Sequence, residues 1–184
     1  NSECAFGYRS SVLKTEEGKH FVVTHVTYVL SKPPSPKLEY VDLAHIFGER
    51  TKTPTLLEIR NALILIRSRK FPDIAMVGTA GSFFKNPRVS KEQFALLKER
   101  YPLMPGYVES DTRVKIPLGW ILDRVLHVRG ACTGAVCTYR AQALVIVNNG
   151  GATASEVRTF AEKISNAVKK MCDIDIEWEV TELK

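Results

Sequence analysis

The sequence lacks the features of a metal centre, a membrane anchor or a secretion signal. Its four cysteines and four histidines form no Cys-x-x-Cys pair and no histidine pair at helical spacing, so the short, repeated ligand spacings of a zinc site are missing. No apolar run reaches the roughly 18 residues that a membrane span needs, which predicts a soluble protein with no membrane partner. The chain opens Asn1-Ser-Glu-Cys4, without a signal peptide or a starting Met, and we interpret it as a fragment or a processed chain.

The cysteine content is also too low for a disulfide framework of the kind that stabilises small secreted domains. We therefore expect reduced, mostly buried thiols in a cytoplasmic protein. These cysteines are Cys4, Cys132, Cys137 and Cys172.

Positive charge is in modest excess, and it favours an anionic partner. The chain has 26 Lys and Arg residues against 20 Asp and Glu residues, a net charge of +6. The phosphates of a nucleotide and of a nucleic acid respond to the same field. Arg67, Arg69 and Lys70 fall at the end of a predicted helix, where the helix dipole favours cations. Because the chain has neither Arg-Gly repeats nor aromatics interleaved with basic residues, we expect no nucleic-acid partner.

Helical and strand patterns are mixed along the chain without regular βαβ alternation, which predicts an α+β fold. The β-branched residues 20–30 predict a strand. Residues 54–69 predict a helix that begins with a capping box, because Glu58 follows Thr55 at the required spacing. The other predicted elements are a helix from Ser90 to Tyr101 with Gln93 reaching back to its cap, a short buried helix at 118–126, a strand at 143–147, a helix beginning at Ser155 with the apolar stripe Val157, Phe160, Ala161, Ile164 and Val168, a strand at 175–181, and loops at 78–87 and 102–115.

Two glycine-containing stretches are candidates for anion binding. In residues 78–87, two glycines would let backbone amides approach a phosphate, and Ser82, Lys85 and Asn86 would add donors. The stretch lacks the Gly-Lys-Ser/Thr ending of a Walker loop, and a structural loop anchored by its two adjacent phenylalanines is equally compatible with the sequence. In residues 148–155, a turn followed by a helix N-cap is favoured over an anion site.

Glu177 and Glu179 lie two residues apart in a predicted strand and alternate with apolar residues, so both carboxylates share one face. Such a face is usually hydrated, but a carboxyl group held against an aromatic ring can act as an acid. The spacing alone does not choose between these two roles.

Several stretches, taken together, resemble one enzyme family. The most specific is Gly81-Ser-Phe-Phe-Lys-Asn-Pro87, and the others are residues 1–14, Leu118-Gly-Trp-Ile-Leu122, Gln142-Ala-Leu-Val-Ile-Val-Asn148 and Glu177-Trp-Glu-Val180. In this order they are similar to the UDP-N-acetylmuramate dehydrogenases, also called UDP-N-acetylenolpyruvoylglucosamine reductases. The segment around Tyr8 resembles the subclass with a tyrosine-bearing loop. The resemblance covers essentially all 184 residues, but the chain begins at a position about halfway along the sequences of that family.

The resemblance implies a cytoplasmic, FAD-dependent oxidoreductase of peptidoglycan and cell-wall precursor synthesis. Such an enzyme reduces UDP-N-acetylglucosamine enolpyruvate to UDP-N-acetylmuramate, with electrons passing from NADPH to FAD and on to the enolpyruvyl group. It implies that Ser82 donates the proton and that Glu179 stabilises the enolic intermediate. Glu179 is preferred to Glu177 because the family's acid directly precedes a valine, as Glu179 precedes Val180.

The same resemblance implies a set of residues that bind the UDP-sugar. Arg129 stands where a lysine is common, a change that keeps the charge but alters the donor geometry. Leu13 and Leu118 depart from the family pattern as packing variants. Residues matching positions around the diphosphate and the sugar are Tyr8, Lys70, Asn86 and Tyr107, and those matching the lining of the nucleotide site are Lys115, Arg129 and Gln142.

The family's FAD-binding region, with its glycine-rich loop and a further catalytic arginine, is not represented in this chain. We therefore interpret residues 1–71 as the end of the FAD-binding domain, residues 72–173 as the substrate-binding domain, and residues 174–184 as a strand returning to the flavin side. We expect this chain alone to hold FAD only weakly and to turn over no substrate, its partner being the missing N-terminal half. The alternative is a non-catalytic UDP-sugar-binding module. Ser82 and Glu179 argue against it, because a pure binder needs no proton donor.

Overall fold

The computed structural model of the chain divides into two compact units, residues 1–37 and residues 38–184. Its helices and antiparallel sheets confirm the predicted α+β class. Among the residues described, none of the helices combines the length and the apolar composition that crossing a bilayer requires. The described residues are 2–7, 9–48 and 51–182.

The first unit has little regular structure. The prediction of a strand at residues 20–30 is wrong, because residues 21–30 are exposed along their whole length and have no strand partner among the described residues. Their β-branched composition favours extended backbone, but a strand also requires a hydrogen-bonded neighbour. The regular elements of this unit are short 3₁₀ turns at Ser2–Cys4, Val12–Lys14 and Gly18–His20.

Helices and strands alternate irregularly through the second unit. The helices are α1 (Val41–Phe47), α2 (Leu56–Lys70), α3 (Lys91–Arg100), α4 (Leu118–Trp120), which continues as a π-helical turn (Ile121–Val125), and α5 (Ala154–Cys172). The strands are β1 (Gly78–Ser82), β2 (Arg88–Ser90), β3 (Tyr107–Val108), β4 (Arg113–Lys115), β5 (Cys132–Thr133), β6 (Val136–Tyr139) and β7 (Gln142–Asn148). They form a four-stranded antiparallel sheet in the order β1-β7-β6-β5 and a three-stranded antiparallel sheet in the order β2-β4-β3.

The main core packs α5 with one face of the four-stranded sheet. Ile146 of β7 belongs to this cluster, whereas Val145 and Val147 pack with Cys137 in a second cluster. Because both faces of β7 are covered, its sequence is a continuous apolar run and does not alternate with polar residues. The predicted stripe on α5 is confirmed: Phe160, Ala161, Ile164 and Val168 are buried, and Val157 is half-buried.

Capping boxes begin the two longest helices. Thr55 accepts a hydrogen bond from the backbone of Glu58, whose side chain bonds back to Thr55, as predicted for α2. In α5 the same motif is made by Thr153 and Glu156. The helix therefore begins at Ala154, one residue before the predicted start.

The cap of α3 differs in one contact from its prediction. The Ser90 hydroxyl accepts a hydrogen bond from the backbone N–H of Gln93 (3.1 Å), as expected for an N-cap. The Gln93 side chain does not reach back to Ser90 but donates to the carbonyl of Asp173 at 2.8 Å. This contact ties α3 to the end of α5.

Three segments differ from the elements predicted for them. Residues 78–87, predicted as a loop, begin with β1, and residues 102–115, also predicted as a loop, contain β3 and β4. The strand predicted at 175–181 is reduced to one isolated bridge, between Phe84 and Trp178. β3 and β4, with two and three residues, offer too few alternating positions for periodicity to reveal them.

The prediction of four reduced, mostly buried thiols is also wrong. Cys132 and Cys137 are joined by a disulfide, with their Cα atoms 4.1 Å apart, and Cys132 is exposed. They are direct partners in the β5–β6 pair, whose connection uses Gly134 in the left-handed region (φ 58°). The spacing of these two cysteines is not that of a metal site, so it did not single them out in the sequence. The hairpin turn between β5 and β6 brings them together.

We expect Ile164→Ala to destabilise the chain by about 2–5 kcal/mol, because it removes a buried side chain and leaves a cavity in the main core. Lys163→Ala, at an exposed neighbouring position on α5, is the control and should change stability by less than about 0.5 kcal/mol. Urea unfolding followed by circular dichroism measures both. Equal midpoints for the two variants would contradict this account of the core.

Candidate active site

Ser82 lies at the end of an edge strand that is bent by a bulge. The pairing of β1 with β7 shifts register between Thr79 and Ser82, and Gly81 adopts φ +81°, which a residue with a Cβ rarely adopts. The Thr79 hydroxyl accepts a hydrogen bond from the N–H of Gly81 (3.1 Å) and donates to the carbonyl of Ile146 (2.8 Å). Since these bonds hold both sides of the bulge, the backbone at Ser82 is fixed in position.

The C-terminal segment runs antiparallel to the residues after Ser82. The backbone N–H of Glu179 donates to the carbonyl of Phe83 (2.8 Å), and the N–H of Lys85 donates to the carbonyl of Glu177 (2.9 Å). The Phe83 ring also meets the Trp178 ring edge-on, with centroids 5.1 Å apart. This pairing brings Glu179 beside the backbone of Ser82, although the two residues are far apart in the sequence.

Two buried aromatic residues anchor the 78–87 stretch. The side chains of Phe83 and Phe84 are 7% and 2% exposed, and their rings meet edge-on with centroids 5.1 Å apart. The stretch is therefore anchored to the core by its two phenylalanines, which is one of the two roles that the sequence left open. This anchoring does not compete with a functional role, because anchored aromatic rings hold the neighbouring polar residues still.

Glu177 and Glu179 occupy different surroundings. The Glu177 side chain is 75% exposed and pairs with Lys85 at 2.8 Å, and the hydrogen bond from Lys85 lowers the pKa of Glu177. Glu179 is half-buried, and its Oε2 atom is buried. An exposed, ion-paired carboxylate is held in its charged form, so this arrangement favours Glu179 over Glu177 as the candidate acid.

Asn86 connects the signature loop to α4. Its Oδ1 accepts a hydrogen bond from the N–H of Leu118 at 2.9 Å, at the first residue of that helix. The neighbouring carbonyl of Pro87 accepts from the N–H of Ile116 at 3.0 Å. The Oδ1 atom of Asn86 therefore has a structural role at the start of α4.

Tyr107 and Lys115 are brought together by the three-stranded sheet. They are direct partners across β3 and β4, and Arg88 is the direct partner of Lys115 on the other side, across β2 and β4. Lys115 also pairs with Glu109 at 3.1 Å. The sequence did not identify Arg88 or Glu109 as site residues. Their only sequence signal was position, since Arg88 follows Pro87 and Glu109 lies two residues after Tyr107.

The side chains of Lys70 and Arg129 are held by other residues. Lys70 bonds to the Tyr40 hydroxyl and to Asp42, each at 3.2 Å, and these bonds raise the pKa of Lys70. Arg129 forms a two-pronged ion pair with Asp123, at 2.6 Å and 2.7 Å. Among the described residues, neither side chain has a recorded bond to the signature loop.

The remaining predicted residues have different outcomes. Gln142 begins β7, and a Cβ added to Gly119 of α4 would lie 3.4 Å from its Oε1, so Gln142 lies against the helix that Asn86 caps. Tyr8 lies outside the described residues, and the tyrosine-loop subclass stays a prediction. In the 148–155 stretch, Asn148 Oδ1 accepts from the N–H groups of Gly150 and Ala152, which matches the favoured turn.

The second unit is therefore an α+β domain in which the backbone of Glu179 pairs with Phe83, the residue after Ser82. Residues 73–183 match the family model described as UDP-N-acetylenolpyruvoylglucosamine reductase, C-terminal domain. The chain belongs to this family of reductases, as the sequence resemblance predicts.

Curated relatives carry the same family name. The UDP-N-acetylenolpyruvoylglucosamine reductase of Porphyromonas gingivalis is 42% identical over 180 residues, covering 98% of this chain and 53% of the relative. The one from Bacteroides fragilis is 40% identical over 181 residues, covering 97% and 53%. The one from Chromobacterium violaceum is 39% identical over 180 residues, covering 97% and 52%. The chain spans about half the length of the curated relatives it matches.

We expect Asn86→Ala and Asn86→Asp to differ in their effect on stability. The alanine variant loses the acceptor for the N–H of Leu118 and should be destabilised by about 0.5–2 kcal/mol. The aspartate variant keeps that acceptor at the start of α4, so its stability should stay close to that of the unaltered chain. Thermal unfolding measures both, and equal melting temperatures for the two variants would show that the bond to Leu118 does not matter.

Proposed function

We propose that this chain is the substrate-binding, C-terminal part of a flavoenzyme that reduces UDP-N-acetylglucosamine enolpyruvate to UDP-N-acetylmuramate, with NADPH as reductant and FAD as carrier. The observation that carries this proposal is the hydrogen bond between the N–H of Glu179 and the carbonyl of Phe83 (2.8 Å). It places the backbone of Glu179 next to that of Phe83, the residue that follows Ser82, and we assign the chemistry to Ser82 and Glu179. The name that the relatives share, UDP-N-acetylenolpyruvoylglucosamine reductase, supports the same reaction.

Reduction of an enolpyruvyl group requires the protein to perform two functions. The carbon next to the carboxylate, C2, must receive a proton, and negative charge that develops on the carboxylate must be stabilised. We assign proton donation to the Ser82 hydroxyl and stabilisation of the negative charge to the Glu179 carboxyl. A serine hydroxyl is a weak acid, but C2 is strongly basic at that stage, so the fixed backbone at Ser82 matters more than its acidity.

Binding of the UDP part is assigned to residues around the three-stranded sheet. Lys115 and Tyr107 are opposed across β3 and β4, and Asn86 lies at the junction of the signature loop with α4. A lysine and a tyrosine on one sheet face suit a phosphorylated, aromatic ligand. The other residues in the proposed UDP-sugar site are Tyr8, Lys70, Arg129 and Gln142.

Residues 1–71 do not fit a flavin site by themselves. Residues 21–30 are exposed throughout, and α1 and α2 pack around one small cluster of Leu43, Phe47 and Ala62. An enclosed, largely pre-formed cavity is the usual requirement for holding a cofactor. We therefore assign no residue of this chain to FAD or NADPH, and the proposal places the flavin on sequence outside it.

The proposed partner is that additional sequence, an N-terminal half like the one in the relatives. The extended residues 21–30 carry exposed apolar side chains, including Val22 (84% exposed) and Val29 (98%). A β-branched segment of this kind is suited to join a sheet whose other strands come from elsewhere. We place the complete enzyme in the cytoplasm and in peptidoglycan precursor synthesis.

We expect Ser82→Ala to lower turnover about 10²–10⁴-fold, the usual contribution of a positioned proton donor. Turnover is measured as NADPH oxidation in a protein that joins this chain to the N-terminal half of the Porphyromonas gingivalis relative. Ser155→Ala, at an exposed serine of α5, is the matched control. The Kd for UDP-N-acetylglucosamine enolpyruvate, measured by calorimetry on this chain alone, should be nearly the same for Ser82→Ala as for the unaltered chain. Undiminished turnover by Ser82→Ala would contradict the assignment.

We expect the unjoined chain to retain no flavin. After mixing with FAD and desalting, its visible absorption spectrum should show no flavin band, because residues 21–30 are exposed and α1 and α2 pack around one small apolar cluster. The joined protein, treated in the same way, is the positive control. Near-stoichiometric flavin on the chain alone would mean that residues 1–71 hold the cofactor, and the proposed division of the enzyme would be wrong.

A further inference from the structure

The three-stranded sheet places three polar side chains in one row. Arg88 and Lys115 are opposed across β2 and β4, and Lys115 and Tyr107 are opposed across β4 and β3. Directly opposed residues of antiparallel strands project from the same face. The row therefore presents two cations and a phenol on one side of the sheet.

A single carboxylate holds both cations of this row. The Oε2 atom of Glu109 lies 2.5 Å from Arg88 Nε, and its Oε1 atom lies 3.1 Å from Lys115 Nζ. The hydrogen bond from Arg88, followed by that from Lys115, lowers the pKa of Glu109, so this carboxylate is charged at neutral pH.

The exposure of these side chains makes Glu109 exchangeable. Arg88 is 44% exposed, Lys115 22% and Glu109 24%. Two like charges directly opposed in a sheet repel each other, so the row needs an anion between them. Because water still reaches all three side chains, a more highly charged anion such as a diphosphate can compete with Glu109 for the two cations.

We propose that Arg88 joins Lys115 in binding the phosphates of a nucleoside diphosphate, and that Glu109 is the counterion of these two cations, which the ligand displaces. The identity of the ligand rests on the proposed function, which supplies a UDP-sugar. The planar guanidinium of Arg88 suits two oxygens of one phosphate, and Tyr107 lies beside Lys115 at the end of the row. The carbonyl of Pro87, next to Arg88, bonds to the N–H of Ile116, next to Lys115, which ties the row to the loop that carries Ser82.

The electrostatic reach of Arg88 extends to the other half of the candidate site. Its charge contributes to lowering the pKa of Glu177, the exposed partner of Lys85 in the C-terminal segment. Arg88 also directly follows Pro87, the last residue of the signature loop, so one ligand can contact both regions.

Glu109→Gln and Arg88→Met break the same ion pair, but we expect them to shift the affinity for UDP in opposite directions. Removing the competing carboxylate should tighten binding about threefold, whereas removing the guanidinium should weaken it roughly tenfold. Arg88→Lys keeps the charge and should restore part of the affinity. Calorimetry of the chain with UDP, and with uridine as the phosphate-free probe, measures these effects. Arg60→Met and Glu162→Gln, at exposed positions on α2 and α5, control for the change in net charge.

The outcomes separate this inference from the proposed function. If the ion pair only holds β3 in place, both variants will shift UDP affinity in the same direction and in parallel with their melting temperatures. That result, or no difference from the two control variants, would overturn the inference and leave the proposed function standing. Uridine bound as tightly as UDP would overturn the diphosphate assignment alone. An unaltered chain that binds neither UDP nor UDP-N-acetylglucosamine enolpyruvate would overturn both.

Discussion

The pairing of the C-terminal segment with the signature loop is the constraint on which the candidate site depends. Two backbone hydrogen bonds, from Glu179 to Phe83 and from Lys85 to Glu177, set the register. Ile174 and Ile176 pack into the main core, so the position of the segment after α5 is determined by the same apolar contacts that stabilise the unit. A displaced core would therefore displace Glu179 from Ser82, and folding and the arrangement of the site are physically linked.

Most polar residues of the site have protein partners before any ligand arrives. Asn86 caps α4, Lys85 pairs with Glu177, and Glu109 bridges the cations of the three-stranded sheet. Such contacts limit the rotamers that each side chain samples, so less conformational entropy remains to be lost on binding. They also make the net binding free energy less favourable, because a ligand must break the existing contacts of each side chain that it binds. The balance between these two effects sets affinity in a site of this kind.

The two units differ in how completely their apolar residues are covered. The second unit surrounds β7 on both faces, whereas the first leaves residues 21–30 exposed. Exposed apolar side chains also occur on α2, where Leu56 and Leu57 are 59% and 64% exposed. Exposed apolar side chains of this kind commonly mark an interface.

The sequence by itself determined the features that arise from contacts within a few residues. The capping box of Thr55 and Glu58 and the apolar stripe of α5 are set by spacings of three and four positions, so both were predictable. The signature Gly81-Ser-Phe-Phe-Lys-Asn-Pro87 likewise pointed to the family that the comparisons confirm. Only the tertiary structure decided what depends on strand pairing: whether residues 20–30 find a neighbour, that Cys132 faces Cys137, and that Arg88 shares Glu109 with Lys115. Strand partners come from distant parts of the chain, and local propensity carries no information about which distant residue will lie opposite.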